Sequence, residues 1–436
     1  MGGIRLRNKL SLVMLSSLLS VCFAVSGCST GSSGVKDNEE GKPAEELKPV
    51  TITMNVRSEI SENWDELIVN PLKKKYPHIT VKEVKGDLNE LIQRGEQVDL
   101  YTVAHVVAGR IVQMDLNYDI EPLMKKFKMD MSRFEPVVLE AVRGNSGNGQ
   151  LIGLPFNLQF FAMYYNKDIF DMFGVPYPKD GLTWNETVEL AKKVSRYHGG
   201  AQYLGFKTDQ IHRLADPFGV TPVDAKTDKA SVINESYKRA FELSKLFFSI
   251  PGNMPASPKD VNKNALDQFR KDKNLAMYYA VNRFSNLKDS DVNWDIAQSP
   301  YYPDMPNVGG IVDSFIMGIT KTSQHKDDAF RVIETFLSEQ AQLFAVRSMG
   351  YISPQVNPVY KDQYGADIPY LKGKNIPAIF KNKIVSHQPY SIYRSQGMDV
   401  LYEVHGDYIF EQYDVNTALR VTDEKINQAV GALKGK

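Results

Sequence analysis

The sequence predicts an α/β protein of two domains, on three observations. It has 436 residues, 42% of them hydrophobic, more than one ordinary core accommodates. Its folded part opens on strand, helix and strand, the order that leads to parallel pairing. Further along, capped helices with one apolar stripe alternate with short β-branched runs, as layers of helix packed on sheet require.

The first 49 residues stand outside that fold. Arg5, Arg7 and Lys9 form a positive flank, Leu10 to Val25 is a short apolar stretch, and Val25-Ser26-Gly27-Cys28 follows. This is the anatomy of a secretory signal, here residues 1–27, and the apolar run is short for a permanent span of ~20 residues. Val-Ser-Gly-Cys resembles the lipobox of bacterial lipoproteins, which implies cleavage before Cys28 and its acylation. The competing reading is a short N-terminal transmembrane anchor with Cys28 incidental. Cleavage also removes Cys22, so no disulfide is expected. Residues 28–49 are Ser, Gly, Glu, Lys and Pro with almost nothing apolar, the composition of a disordered tether.

The body begins at Val50. Val50 to Val56 alternates and is β-branched, hence a strand. Trp64, Leu67, Ile68 and Leu72 have helical spacing, with Pro71 set to kink or end that helix. Ile79 to Val84 and Val98 to Val103 read as the next two strands. Thr183 and Glu186 have the spacing of a capping box, ahead of a stripe of Leu190, Ala191 and Val194. Tyr237, Ala240, Phe241, Ser244, Phe247 and Phe248 mark a helix whose aromatic face is core. Ala329, Phe330, Ile333, Phe336 and Leu337 mark another, starting at about Lys326.

Sites of chemistry are scarce. Gly144 to Gly149 matches neither a nucleophile elbow nor a dinucleotide fingerprint and reads as a solvated turn. The seven histidines are scattered singly, without metal spacing, and no metal or cofactor is expected. Basic and acidic residues balance at 52 each, which argues against nucleic acid as a partner. The body is rich in aromatics, 22 Tyr and 21 Phe, and several stand beside polar residues in loops. Rings with planar polar groups suit sugars, whose apolar faces stack and whose hydroxyls need hydrogen bonds.

The stretch Leu151 to Gly205 carries the segments GLPF, YYNKDIF, GVPYP and TW before the capped helix, and Gly350-Tyr351-Ile352-Ser353-Pro354 follows later. With these marks the chain resembles the family 1 extracellular solute-binding proteins of bacterial ABC importers, in particular the long Bacillus-type lipoproteins. The resemblance runs from Val50 nearly to the C-terminus. It implies a two-lobed, periplasmic-binding-protein-like (type II) fold with the ligand in an interlobe cleft. The expected division is 50–158 for the first part of lobe 1, 159–312 for lobe 2, 313–375 for a return to lobe 1, and 376–436 for a helical part mainly on lobe 2. Crossings are expected near Gln159 to Ala162, near Val312 to Phe315, and once more further on.

By the same resemblance Arg57 and Glu59 after the first strand, Thr102 and His105 after the third, Asn157 and Gln159 at the first crossing, and Asp313 at the second are candidate ligand contacts. Asn282 and Arg283 are candidates beyond the Leu275-Ala276-Met277 strand, where relatives often carry a stacking aromatic; Arg283 there hints at a charged or uronic-acid substituent. Tyr301, Tyr302 and Tyr390 are the candidate stacking faces. For each of these a capped strand end or an ordinary surface contact is the competing reading, and for His105 it is the favoured one. The expected protein is no enzyme but a monomeric binder of a carbohydrate, held by its lipid on the outer face of a Gram-positive cell membrane and serving ABC permease subunits. A secreted glycan-active enzyme and a ligand sensor are the alternatives.

Overall fold

The computed structural model describes residues 48–435. The signal segment, Cys28 and nearly all of the expected tether lie outside the described residues. Among those described, no helix is long and apolar enough to cross a membrane.

Twelve strands follow in order: β1 Val50–Asn55, β2 Ile79–Glu83, β3 Leu100–Ala104, β4 Leu154–Leu158, β5 Phe161–Asn166, β6 Arg196–His198, β7 Ala201–Thr208, β8 Leu275–Val281, β9 Trp294–Gln298, β10 Val308–Ile311, β11 Ser314–Ile319 and β12 Lys383–Val385. They build two five-stranded sheets, ordered β2-β1-β3-β11-β4 and β6-β7-β8-β5-β9, and a small β10-β12 ladder. β1 pairs with β2 and β3 in parallel, as expected, whereas β11 runs antiparallel to both β3 and β4. The sheet is mixed because β11 arrives from the second half of the chain. The chain passes between the sheets through Gln159 and Phe160, and returns through Val312 and Asp313. Beside that return, the Val312 N–H donates to the Val385 carbonyl at 2.9 Å, continuing the small ladder.

Each sheet has its own core. Ile52, Met54 and Leu100 of the first pack with Phe330, Ile333 and Phe336 of the helix Lys326–Phe336. The second is covered on both faces, which its β5 sequence FAMYYN reports: Phe161, Met163 and Tyr165 enter one cluster, Ala162 and Tyr164 another. On the first face lie Trp184, Phe241, Leu401 and Ile426, from four helices including both C-terminal ones, Arg394–Ile409 and Val415–Lys434. On the second face lie Tyr360, Tyr364, Leu371 and Ile379.

The expected helices form. Thr183 and Glu186 make the reciprocal capping box of the helix Trp184–Val194. Pro71 stands in the first turn of Asn70–Lys75, and the helix is interrupted directly before it by a π-helical turn, Asp65–Val69. The turn after Gly144 departs from expectation. Asn145 and Ser146 are buried, and Asn145 bridges the His105 carbonyl and the Tyr390 N–H.

Candidate ligand-binding cleft

Topology places the carboxyl ends of β1, β3 and β4 and the amino end of β11 along one edge of the first sheet. It likewise places the carboxyl ends of β7 and β8 along one edge of the second. Ligands of open α/β sheets bind at such edges. A cleft of about 320 Å³ opens here, lined by Arg57, Glu59, Asn157, Gln159 and Phe315 on one side and by Asn282, Arg283 and Asn286 on the other. Phe284, Tyr351 and Tyr370 add aromatic rings to its lining. A larger groove of about 580 Å³ lies along the outer face of the helix Trp184–Val194, lined by its Lys and Glu side chains and by Leu246. It draws on neither sheet edge, so the smaller cleft is the candidate.

Six of the expected residues therefore meet: Arg57, Glu59, Asn157, Gln159, Asn282 and Arg283. Thr102 positions one of them, its Oγ1 accepting the Arg57 backbone N–H at 3.0 Å. The Arg57 guanidinium bonds Glu59 at 2.8 Å and lies 3.9 Å over the Phe315 ring. Burial pushes the Glu59 carboxyl up, but its own backbone N–H and Arg57 outweigh this and hold it below the usual carboxylate range. Asn157 Oδ1 accepts from the Ile352 N–H at 3.2 Å. The Gln159 N–H donates to the Asp313 carbonyl at 2.7 Å, clamping the two crossings together.

On the opposite side, the Asn282 N–H donates to the Phe160 carbonyl at 2.9 Å, and its Oδ1 accepts from the Phe284 N–H at 3.1 Å. The Arg283 guanidinium donates to the Tyr278 hydroxyl at 3.2 Å and pairs with Asp209, just past β7. Its charge is thus already compensated, which removes the ground for reading a charged substituent from Arg283.

Asp313, expected as a ligand contact, is not among the residues lining this cleft. Its carboxylate is surrounded by Arg213, Arg394, His387 and Arg57, and burial pushes it above the usual range against their pull. Arg213 is paired with the buried Asp216 at 3.1 Å. Tyr390 also lies there, buried, its ring stacked on His387 at 4.1 Å.

Other candidates are elsewhere. His105 is fully buried and bonded to Ser314 and His387, so the structural reading favoured for it agrees with its place. Tyr302 offers no free stacking face: its ring packs on Phe218 in the core and its hydroxyl donates to the Leu214 carbonyl at 2.9 Å. Tyr301 ties its loop to Leu182 and Trp184 through its backbone. The rings that do reach the cleft, Phe284, Phe315, Tyr351 and Tyr370, were not among the candidates, nor were Asp209, Arg213 and Arg394. Tyr351 stood within the quoted GYISP segment, a signal of family and not of exposure.

Comparisons agree with this architecture. The profile of the bacterial extracellular solute-binding protein family matches residues 57–343. The sn-glycerol-3-phosphate-binding periplasmic protein UgpB of Brucella abortus (strain 2308) is 23% identical over 339 residues, covering 70% of this chain and 73% of the relative. A sugar transporter of Rhizobium etli in an open conformation superposes with a TM-score of 0.70 at 19% identity, over 86% of this chain and 99% of that one. The substrate-binding protein Lmo0181 of Listeria monocytogenes, in complex with cycloalternan, superposes with a TM-score of 0.68 at 18% identity, over 88% and 100%. The fold is thus the two-lobed α/β fold of periplasmic sugar-binding proteins, and with its profile match covering most of the body, the chain belongs to the bacterial extracellular solute-binding protein family.

Proposed function

We propose that this protein is the membrane-anchored solute receptor of an ABC importer, capturing a carbohydrate, an oligosaccharide in preference to a monosaccharide, between its two lobes. The observation that carries the reading is the cleft itself: amides, a carboxylate and guanidinium groups from both sheet edges converge there beside four aromatic rings. Relatives that bind cycloalternan, maltose and mannotriose share the fold, which supports a sugar, although UgpB is named for a phosphorylated polyol.

Lobe 1 comprises residues 50–158 and the return from 313, and lobe 2 comprises 159–312 with the C-terminal helices. The packing of Tyr360 to Ile379 against Tyr164 and Trp294 supports ending the return near Ile352 instead of residue 375. Closure rotates the lobes about Gln159–Phe160 and Val312–Asp313, burying the solute. Acylated Cys28 holds the monomeric body on the extracellular face, and docking of the closed lobes on the permease releases the solute.

The test is a thermal-shift panel of oligosaccharides with product analysis on the same samples. Concentration-dependent stabilisation without turnover is expected. Sugar cleavage would show instead that the protein is a glycan-active enzyme.

A further inference from the structure

A second cavity, of about 390 Å³, lies on the other face of the first crossing. Along that crossing Asn157 lines the cleft, Leu158 and Phe160 line the cavity, and Gln159 alone touches both. Successive residues of an extended chain point to opposite faces, so the crossing is the partition between the two spaces. The segment after Gly350 divides them again: Tyr351 lines the cleft, Ile352 and Ser353 the cavity.

Both lobes contribute walls. Val137, on the helix Pro136–Gly144, and Ile352 belong to the first, whereas Phe161, Ile379 and Phe380 pack with the second sheet. Val137, Ile352 and Ile384 are only half-buried, set on a small separate core of Val138, Ala141, Leu158 and Val312 at the two crossings. Phe160 carries the wall through to the cleft, its ring centroid 4.9 Å from that of Phe284. The charged lining is Glu135 with the exposed Lys361 and Lys383, and among the described residues none of these side chains makes an ion pair or hydrogen bond. Asn382, in the same wall, has both amide atoms buried and without a partner among the described residues. The wall is thus short of an acceptor for its Nδ2.

We propose that this cavity is a second ligand site, for a small aromatic carboxylate, and that its occupant strengthens solute capture in the cleft. The coupling rests on the two-lobed capture reading; the site itself does not. The rings of Phe160, Phe161 and Phe380 with the half-buried aliphatic groups suit a flat apolar body, in a volume of the usual ligand size. Two ammonium groups against one carboxylate leave a positive balance for an anion. The sign of the coupling follows from the lever. Lobes that turn about the crossings to close the cleft draw apart behind them, and opening brings the rear walls together. A guest behind the crossings opposes opening, and so favours the closed form that holds the solute.

The experiment titrates the full chain with 2-naphthoate, with its neutral amide 2-naphthamide, and with maltotriose, mannotriose and xylotriose with and without saturating 2-naphthoate. The carboxylate should bind at least about fivefold more tightly than the amide. Lys361→Glu/Lys383→Glu, at exposed positions outside the cleft, should remove that advantage and leave the affinity for sugar by itself unchanged. Saturating 2-naphthoate should tighten the sugar by about fivefold, and the sugar should tighten 2-naphthoate by the same factor. No binding of 2-naphthoate, an equal affinity for the amide, or indifference to the double variant overturns the site and leaves the carbohydrate reading standing. A sugar affinity that is unchanged or weakened overturns the coupling. If every sugar stays silent while 2-naphthoate binds, the carbohydrate reading falls and the second site stands. X-ray scattering then reads the coupling: 2-naphthoate by itself should lower the radius of gyration, and an unchanged radius overturns it.

Discussion

His105 and His387 face each other across the end of the first sheet with their Nε2 atoms 2.8 Å apart. The partners on either side fix where the protons are. His105 Nδ1 lies 3.0 Å from the Ser314 N–H and 3.1 Å from its carbonyl. The direction is set at the other ring, whose Nδ1 faces a carbonyl and must donate, which leaves His387 Nε2 to accept from His105 Nε2–H. His387 then carries its own on Nδ1, which donates to the Gln388 carbonyl at 2.7 Å. Two neutral rings thus form one directed chain from the start of β11 to the segment after β12. That chain holds the Val312–Asp313 crossing, and Asp313 with it.

The chain makes stability sensitive to acid. Burial pushes His105 down to about 4, and burial together with the neighbouring ring pushes His387 down to about 3, against an ordinary value of 6.5. Unfolded, both rings take up protons near 6.5 while the folded protein refuses them. Their stabilisation is therefore complete above about pH 6.5 and is lost as pH falls toward 4, by on the order of 2–3 kcal/mol per ring. Urea denaturation across that range measures it. The double variant His105→Gln/His387→Gln should start less stable and show a shallower acid slope; an unchanged slope would remove the pair from the account.

Gly318 is the penultimate residue of β11, opposite Tyr101 of β3. A Cβ there would lie 2.4 Å from the Tyr101 ring and 2.5 Å from the Ile152 carbonyl oxygen. Tyr101 is fully buried and its hydroxyl donates to that same carbonyl at 2.8 Å, so neither neighbour has room to move. Gly318→Ala should cost about 1–3 kcal/mol, read as a lower denaturation midpoint with an unchanged m-value. Wild-type stability would mean that the sheet yields more readily than its packing indicates.

Thr183→Ala should cost about 1 kcal/mol, because it removes the Oγ1 that accepts the Glu186 N–H and donates to the Glu186 carboxylate at 2.7 Å, leaving only the bond from the Thr183 backbone N–H. In a double-mutant cycle with Glu186→Ala the two losses should be less than additive. Strict additivity would show that the box does not act as a unit.

That capping box was legible in the sequence because it is local: residues three apart at a helix start meet wherever that helix lies. The strands β1 to β3 and the stripes at Ala329 to Phe336 and Tyr237 to Phe247 were legible for the same reason. The cleft was half legible. Arg57 and Asn282 follow strand ends and Asn157 is the last residue but one of β4, and a strand end marks the sheet edge without further knowledge. Which aromatic faces the cleft depends on long-range packing. Tyr302 stands beside prolines in a loop, as a surface residue would, yet Phe218 and Trp184 enclose it. The pairing of Arg283 with Asp209 joins residues 74 apart, just past the ends of neighbouring strands whose order no spacing reveals. Asn145 was misread for a related reason: a glycine-rich turn reads as solvated until another segment, here Tyr390, closes over it.

The difference between a ring in the cleft and a ring in the core gives a direct test of where a sugar stacks. Tyr370 is half-buried and lines the cleft, whereas Tyr302 is 5% exposed, with its hydroxyl bonded to Leu214 and Arg239 over its ring at 4.6 Å. Tyr370→Ala should leave the melting temperature of the free protein nearly unchanged and weaken a bound oligosaccharide by roughly 3- to 10-fold, the scale of one aromatic contact. Tyr302→Phe should do the reverse, lowering stability by about 1 kcal/mol through the lost hydrogen bond while leaving affinity alone. Calorimetric titration of both variants against the same sugar separates the two effects. If Tyr302→Phe weakens binding and Tyr370→Ala does not, the solute lies on the other side of the second sheet's edge, and the cleft between Arg57 and Arg283 is not its seat.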